Sequence, residues 1–337
     1  MAVVLNSTVK TNRVKLFLIT CIAGVVIIAL TLWGRYPKPG LLTLNDILHD
    51  ELALRMFILI RVPRMVAALL LGAVLGLSGC VFQYVFANPL VDSGFLGVSQ
   101  GAGLGSIIAM LAGFPFTLQI GCAFAGALLS LALSILLAKY IRFGGLILRL
   151  VLAGIAVSSV LSALISLIKF TADPLRQLPE ITYWLMGGLS GVRLPMLVLP
   201  SIIAGISCLV LISLRWQIGL LALDDRAVRS LIKNPFVLRI VLLAFAVAGT
   251  AAVTAYAGIV AWAGLIVPHI ARIVFGAETR STVPASIVLG SMFMAVCDTL
   301  ARSLFPIELP LGIVTALAGA ASFTVLLVFI PIKVERG

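Results

Sequence analysis

Apolar runs of membrane-crossing length alternate along this chain with short polar interruptions. The clearest covers residues 65–86, 22 positions without a single charge. At ~1.5 Å per residue it reaches about 33 Å, enough to cross a hydrocarbon core of ~30 Å. It is entered through Arg61-Val62-Pro63-Arg64 and ends at Asn88-Pro89, where proline removes a backbone donor. An acidic turn with Asp92 follows, and a second helix is predicted to start near Phe95. Further runs occupy residues 16–34, 116–138, 150–168, 194–214, 236–255, 258–275, 283–301 and 309–330. The first is longer than the ~7–15-residue core of a signal peptide, so it reads as a span with Trp33 at the interface. The run at 258–275 contains Pro268, which is expected to end or kink its helix. Three segments are too polar to cross. Residues 41–60 read as a helix lying on the surface, residues 173–191 as a re-entrant or surface helix, and residues 215–235 as an amphipathic element. The pattern predicts an all-α polytopic membrane protein of about ten transmembrane helices, in one domain over 1–337.

Composition agrees, with 62% hydrophobic residues and only 11% charged, against about 25% charged in soluble domains. The net charge of +12 does not indicate nucleic-acid binding, because the basic residues fall in ones and twos between apolar spans. There they set topology. With ten spans, 15 of the 24 Lys and Arg lie on the side of the termini and 9 on the other, which puts both termini in the cytoplasm. The five cysteines sit in apolar segments without ligand spacing and read as small hydrophobes. No P-loop motif occurs, so the chain is not expected to be an ATPase itself. No cofactor or metal site is predicted.

Several positions invite a closer reading. Gly72 and Gly76 are four apart, as are Gly97, Gly101 and Gly105, a spacing that lets helix backbones approach closely in lipid. Ser158, Ser162 and Ser166 stack on one helix face, and Thr315 and Ser322 share another. Such hydroxyls either bond their own helix carbonyls or line a path. In 215–235, Leu220, Leu221, Leu223, Ala227, Val228 and Leu231 interleave with Asp224, Asp225, Arg226 and Arg229. This is either a solvated loop or a helix that docks in a partner's groove. His269 has no second ligand at metal spacing, and a structural histidine at a helix end competes with a proton-relay role. Asp298 and Arg302 are i, i+4 and can pair on one face.

The wording of these motifs resembles the FecCD/BtuC-type permease family, the membrane subunits of type II ABC importers for ferric siderophores, haem and vitamin B12. The matching letters are Arg61-Val62-Pro63-Arg64, Asn88-Pro89-Leu90-Val91 and Leu96-Gly97-Val98-Ser99-Gln100-Gly101-Ala102. Further on they are Tyr183-Trp184-Leu185-Met186-Gly187-Gly188, the stretch 258–272, Asp298-Thr299-Leu300-Ala301-Arg302 and Glu308-Leu309-Pro310-Leu311-Gly312. Val91 replaces the usual alanine, and Asp224 and Ile232 replace two glycines in the family's coupling pattern. The resemblance implies a permease working as a homodimer in the bacterial inner membrane. A cytoplasmic ABC ATPase dimer, a periplasmic or lipid-anchored substrate-binding protein and membrane lipid would be its partners. It assigns ATPase coupling to Leu223, Asp224, Asp225, Ala227, Arg229 and Leu231. It assigns binding-protein docking to Arg61, Arg64 and Arg302, and pathway lining to Ser158, Ser162, Ser166, Thr315 and Ser322.

The cargo implied is a bulky metal chelate, with an oxyanion such as molybdate or tungstate as the alternative. An ion-coupled secondary transporter would place ionisable groups near the membrane midplane, and the spans hold almost none. An intramembrane enzyme would need a catalytic pair or a metal cluster, and neither is visible in the sequence.

Overall fold

The computed structural model describes residues 2–36, 40–92, 94–223 and 225–329. Apart from a two-residue ladder pairing Trp33–Gly34 with Gly40–Leu41, the described elements are helical. The chain starts with α1 (Ala2–Leu32) and α2 (Leu44–His49). Asp50 ends α2 and caps α3 (Glu51–Met56), its carboxylate accepting from the amides of Leu52 and Ala53. The surface helix expected over 41–60 is therefore corrected. After Asp50 the chain does not lie flat but runs through a π-helical turn (Phe57–Arg61) into α4 (Val62–Val85), as one rod over Glu51–Val85. Pro63 does not break it, because the π-helical turn directly before it, in which Val62 N donates to Phe57 O, accommodates the missing donor.

The helix stops where the sequence places its end. Asn88 N donates to Gln83 O and Ala87 N to Tyr84 O, with Ala87 at φ 47°. This is a Schellman closure with alanine in the position glycine usually takes. Then follow α5 (Val98–Leu111), α6 (Phe116–Tyr140), α7 (Leu146–Thr171), α8 (Gln177–Leu185) and α9 (Leu194–Ser213). Two short helices, α10 (Arg215–Leu220) and α11 (Asp225–Leu231), precede α12 (Pro235–Ala257), α13 (Ala263–Phe275), α14 (Thr279–Ser303) and α15 (Leu311–Phe329).

All ten predicted runs are helices, but they are not ten equal spans. Among the described residues seven are long and apolar enough to cross by length and composition. α5 and α13, with 14 and 13 residues, reach only about 21 and 20 Å. Both begin after turn or irregular backbone within the bundle. α4 is the hub, with 78% of its apolar window buried against 6% for α1, which lies at the periphery. Glycine makes the tightest packing. A Cβ added at Gly72 would run into the carbonyl of Gly290 on α14, and one at Gly290 into that of Gly72. Gly101 of α5 and Gly126 of α6 stand in the same reciprocal relation, and Gly105 abuts the carbonyl of Cys122. In lipid, where apolar side chains gain little by leaving the solvent, such close backbone approach is what holds helices together.

Candidate functional site

We call the end of the bundle at which α1 begins the N-terminal side. At the opposite side, α4 starts and α1 and α14 finish, and here Arg61, Arg64 and Arg302 meet. Nε of Arg64 donates to Oδ1 of Asp298 at 2.7 Å, and Nη2 of Arg64 pairs with Oε1 of Glu308 at 2.8 Å. Arg64 and Asp298 are both buried. Oδ2 of Asp298 faces Nε of Arg302 at 3.6 Å without a hydrogen bond. Arg302 spends its other nitrogens on the end of α1 and the residue after it, donating to the carbonyls of Leu30 and Trp33 at 2.6 Å each. Arg61 donates to those of Leu32 at 2.9 Å and Tyr36 at 2.6 Å. A helix C-terminus leaves its last four carbonyls unpaired and carries partial negative charge. The two arginines therefore fasten the end of α1 to α4 and α14. The guanidiniums of all three arginines assigned to docking are engaged by carboxylates and backbone carbonyls of this chain. The pairing expected for Asp298 with Arg302 exists, but Arg64 is its nearer partner.

Deeper in the bundle, three of the sequence motifs interlock through their backbones. Gly188 N donates to Ala257 O at 2.8 Å, Leu311 N to Gly187 O at 2.9 Å and Gly312 N to Met186 O at 3.0 Å. Residues 186–188 after α8 thus join the end of α12 to the start of α15. Gly187 and Gly258 have φ of 71° and 69° and lie against each other without room for a Cβ. Residues 173–191, expected as a re-entrant or surface helix, comprise α8 and this backbone junction. From Gly258 the backbone runs without regular structure until Trp262, itself at φ 72°, opens α13.

Pro268 does not end α13, and the reason is a side chain. Proline cannot donate to the carbonyl of Gly264, four residues back. Nε2 of Gln83 on α4 donates instead to Gly264 O at 3.4 Å and to Leu265 O at 3.2 Å. Arg272, one turn beyond Pro268, holds Oε1 of Gln83 at 2.5 Å. Gly79 brings α4 into backbone contact with Gly264, so the amide can reach. His269 is consequently mid-helix and half-buried, not at a helix end. Among the described residues no group of His, Cys, Asp and Glu could hold a metal ion.

On the N-terminal side, α10 and α11 are two short consecutive helices after α9. Ile218, Leu221 and Val228 are buried against the bundle, whereas Leu223 and Leu231 are 46% and 60% exposed. Ala227 is half-buried. Asp224 lies outside the described residues, and of Asp225 and Arg229 only the backbone, within α11, is described. The apolar positions therefore divide into a face that anchors the segment and a face left open.

The serine stripe of α7 lies largely outside the core. Ser158 is half-buried, Ser162 and Ser166 are exposed, and Oγ of Ser166 donates to Ser162 O at 2.9 Å. On α15, Thr315 is fully buried and donates to Gly312 O at 3.2 Å, while half-buried Ser322 donates to Ala318 O at 2.7 Å. One chain does not bring the two stripes together: α7 packs on α5 and α6, and α15 on α13 and α14. Sequence reasoning missed Gln83, Arg272 and the Arg64–Glu308 pair. The one signal for Gln83 was an amide alone in a long apolar run.

Comparison with known proteins accounts for nearly the whole chain. A sequence model of the FecCD transport family matches residues 16–329. The probable iron chelatin transport system permease protein of Helicobacter pylori is 38% identical over 286 residues, covering 84% of this chain and 86% of that one. The molybdate import system permease protein MolB of Haemophilus influenzae is 35% identical over 282 residues, 82% of this chain and 81% of its own. Among solved structures, an ABC transporter assigned to the metal-chelate type, in an inward-facing conformation, superposes with a TM-score of 0.83 at 33% identity. That match covers 93% of this chain and 97% of the other.

Proposed function

The chain belongs to the FecCD transport family, and from that premise we propose that it is the permease subunit of an ABC importer carrying a metal chelate of the iron-siderophore, haem or cobalamin class. In this reading two copies pair in the bacterial inner membrane with both termini in the cytoplasm. A separate ATPase dimer powers them, and a binding protein delivers cargo to the opposite face. The chain itself does no chemistry; it supplies a path whose access alternates as ATP is bound and hydrolysed.

The observation that carries this reading is the segment of α10 and α11. Ile218, Leu221 and Val228 fix it to the bundle, and exposed Leu223 and Leu231 remain to fill a groove on a cytoplasmic partner. Leu223, Asp224, Asp225, Ala227, Arg229 and Leu231 are the residues we assign to that contact. The exposed serines of α7, together with α15 of a second copy, are the candidate lining. Arg61, Arg64 and Arg302 shape the receiving face by holding α1, α4 and α14 together rather than by contacting the binding protein themselves. A charged-midplane mechanism of the secondary-transporter kind has little to work with. The ionic cluster around Arg64 sits at the helix ends, and Arg272 is engaged by Gln83.

The test is reconstitution with the ATPase and binding protein, measuring ATP-driven uptake of a radiolabelled ferric chelate and of molybdate in parallel. Chelate uptake that requires both partners is expected. Uptake by the permease alone on an ion gradient would refute the importer reading. Molybdate uptake in place of chelate would select the oxyanion cargo, a second reading favoured by the similarity to the Haemophilus influenzae protein.

A further inference from the structure

Arg13 of α1, Arg215 of α10 and Arg280 of α14 converge on one pocket of about 470 Å³ at the N-terminal side of the bundle. Trp216 forms one wall, with the Arg280 guanidinium 5.1 Å from its ring centroid. Leu209 and Ile212, the last apolar turn of α9, lie beneath the three arginines. Two contacts hold these elements in place. Nδ2 of Asn12, next to Arg13, donates to Phe275 O at 3.0 Å and ties α1 to the end of α13. Gly219 of α10 leaves no room for a Cβ against Thr279, so α10 docks one residue before Arg280.

The charges in this pocket are unbalanced. All three arginines are exposed, and among the described residues no carboxylate forms an ion pair with any of them. Glu278, the nearest acidic residue in sequence to Arg280, is exposed and unpaired with it. Three like charges around one cavity repel unless an anion sits between them. The surroundings say what kind of anion. Leu209 is 70% exposed below the arginines, and beside them α1 presents Phe17 and Leu18 at 68% and 53% exposure. They are exposed apolar positions near the start and end of helices long and apolar enough to cross a membrane. Trp216, 56% exposed, lies at the level where tryptophan marks a bilayer interface. A ligand that suits this site has a negative phosphodiester head and acyl chains running down along α1 and α9.

We propose that the pocket between α1, α9, α10 and α14 is a binding site for one anionic phospholipid of the phosphatidylglycerol type. Its phosphodiester is held by Arg13, Arg215 and Arg280, its glycerol region lies against Trp216, and a chain follows Leu209 and Ile212. Basic pockets between transmembrane helices recognise anionic head groups in this way. The inference rests only on the helices crossing a bilayer, not on the importer reading or its cargo.

The full chain, purified from a zwitterionic phosphatidylcholine background, is titrated with phosphatidylglycerol and the bound lipid counted by native mass spectrometry. One preferentially retained phosphatidylglycerol per chain is expected. Each of R13Q, R215Q and R280Q should weaken retention about five-fold, and the triple variant about a hundred-fold. K139Q/R142Q, which removes two exposed charges at the end of α6 and just after it, should leave it unchanged. Millimolar inorganic phosphate should not displace the lipid. Equal retention by wild type and triple variant would overturn the proposal. So would equal loss from K139Q/R142Q, which would indicate diffuse surface charge, or displacement by free phosphate, which would indicate a simple anion site. If the triple variant does not fold, the three single variants decide, since each removes one exposed side chain.

Discussion

Replacing Arg64 with methionine tests whether the far-side arginines are structural. The substitution keeps the length of the side chain and removes its charge. It strands the carboxylate of Asp298, which is 1% exposed and takes its 2.7 Å hydrogen bond from Arg64. Breaking a buried pair by deleting one partner costs about 3–5 kcal/mol, because the remaining charge is neither solvated nor paired. Here Arg302 stands 3.6 Å from the other oxygen and takes up part of that loss, so the lower end applies. About 3 kcal/mol is a factor of about 150 in the unfolding equilibrium. Glu308, whose side chain is 30% exposed, can turn to water and adds little. The double variant R64M/D298L removes both charges and should recover most of the stability, since a buried ion pair replaced by apolar groups of similar size is often neutral. Unfolding in a detergent titration, read for wild type, the two single variants and the double, supplies the cycle. Binding-protein affinity against salt is measured on the same samples. Recovery in the double variant with an unchanged salt slope is the expected result. Full stability of R64M together with a reduced salt slope would refute the argument and restore the docking role.

Gln83→Leu should destabilise the fold by about 2 kcal/mol by orphaning the Gly264 carbonyl. The same change in a Pro268→Ala background should cost markedly less, because the restored amide supplies the donor; equal losses in detergent unfolding would dismiss the link. Gly72→Val, forced against the Gly290 backbone, should lose about 3 kcal/mol or fail to accumulate, whereas valine at Gly24, which has nothing within 4 Å, should be tolerated. Leu231→Asp, at a position 60% exposed, should leave stability unchanged and abolish ATP-driven uptake; retained uptake would remove α11 from the coupling contact. In a cysteine-free background, Ala227→Cys should label only from the cytoplasm and Arg176→Cys only from outside, and the reverse pattern would invert the topology.

The sequence alone determined what depends on neighbouring positions. Ten apolar runs became helices at nearly the predicted places, because length and hydropathy are properties of a contiguous segment. The four-residue glycine spacings identified α4 and α5 as close-packing helices, since a missing Cβ permits contact whatever the partner. The end of α4 before Asn88-Pro89 and the two-sided character of 215–235 were legible for the same local reason. Which groups the polar side chains meet was decided only by tertiary structure. Arg64 and Asp298 are 234 positions apart, and Gln83 and Gly264 are 181 apart. Arg61 and Arg302 each lie at the end of an apolar run, and only the fold shows that carbonyls at and just beyond the end of α1 engage both. Pro268 reads as a helix breaker because the chain lacks a donor there, yet an amide from another helix supplies it. A charge or an unpaired carbonyl in a low-dielectric interior takes whatever partner the packing of distant helices places within reach, and that placement is not written in the residues on either side.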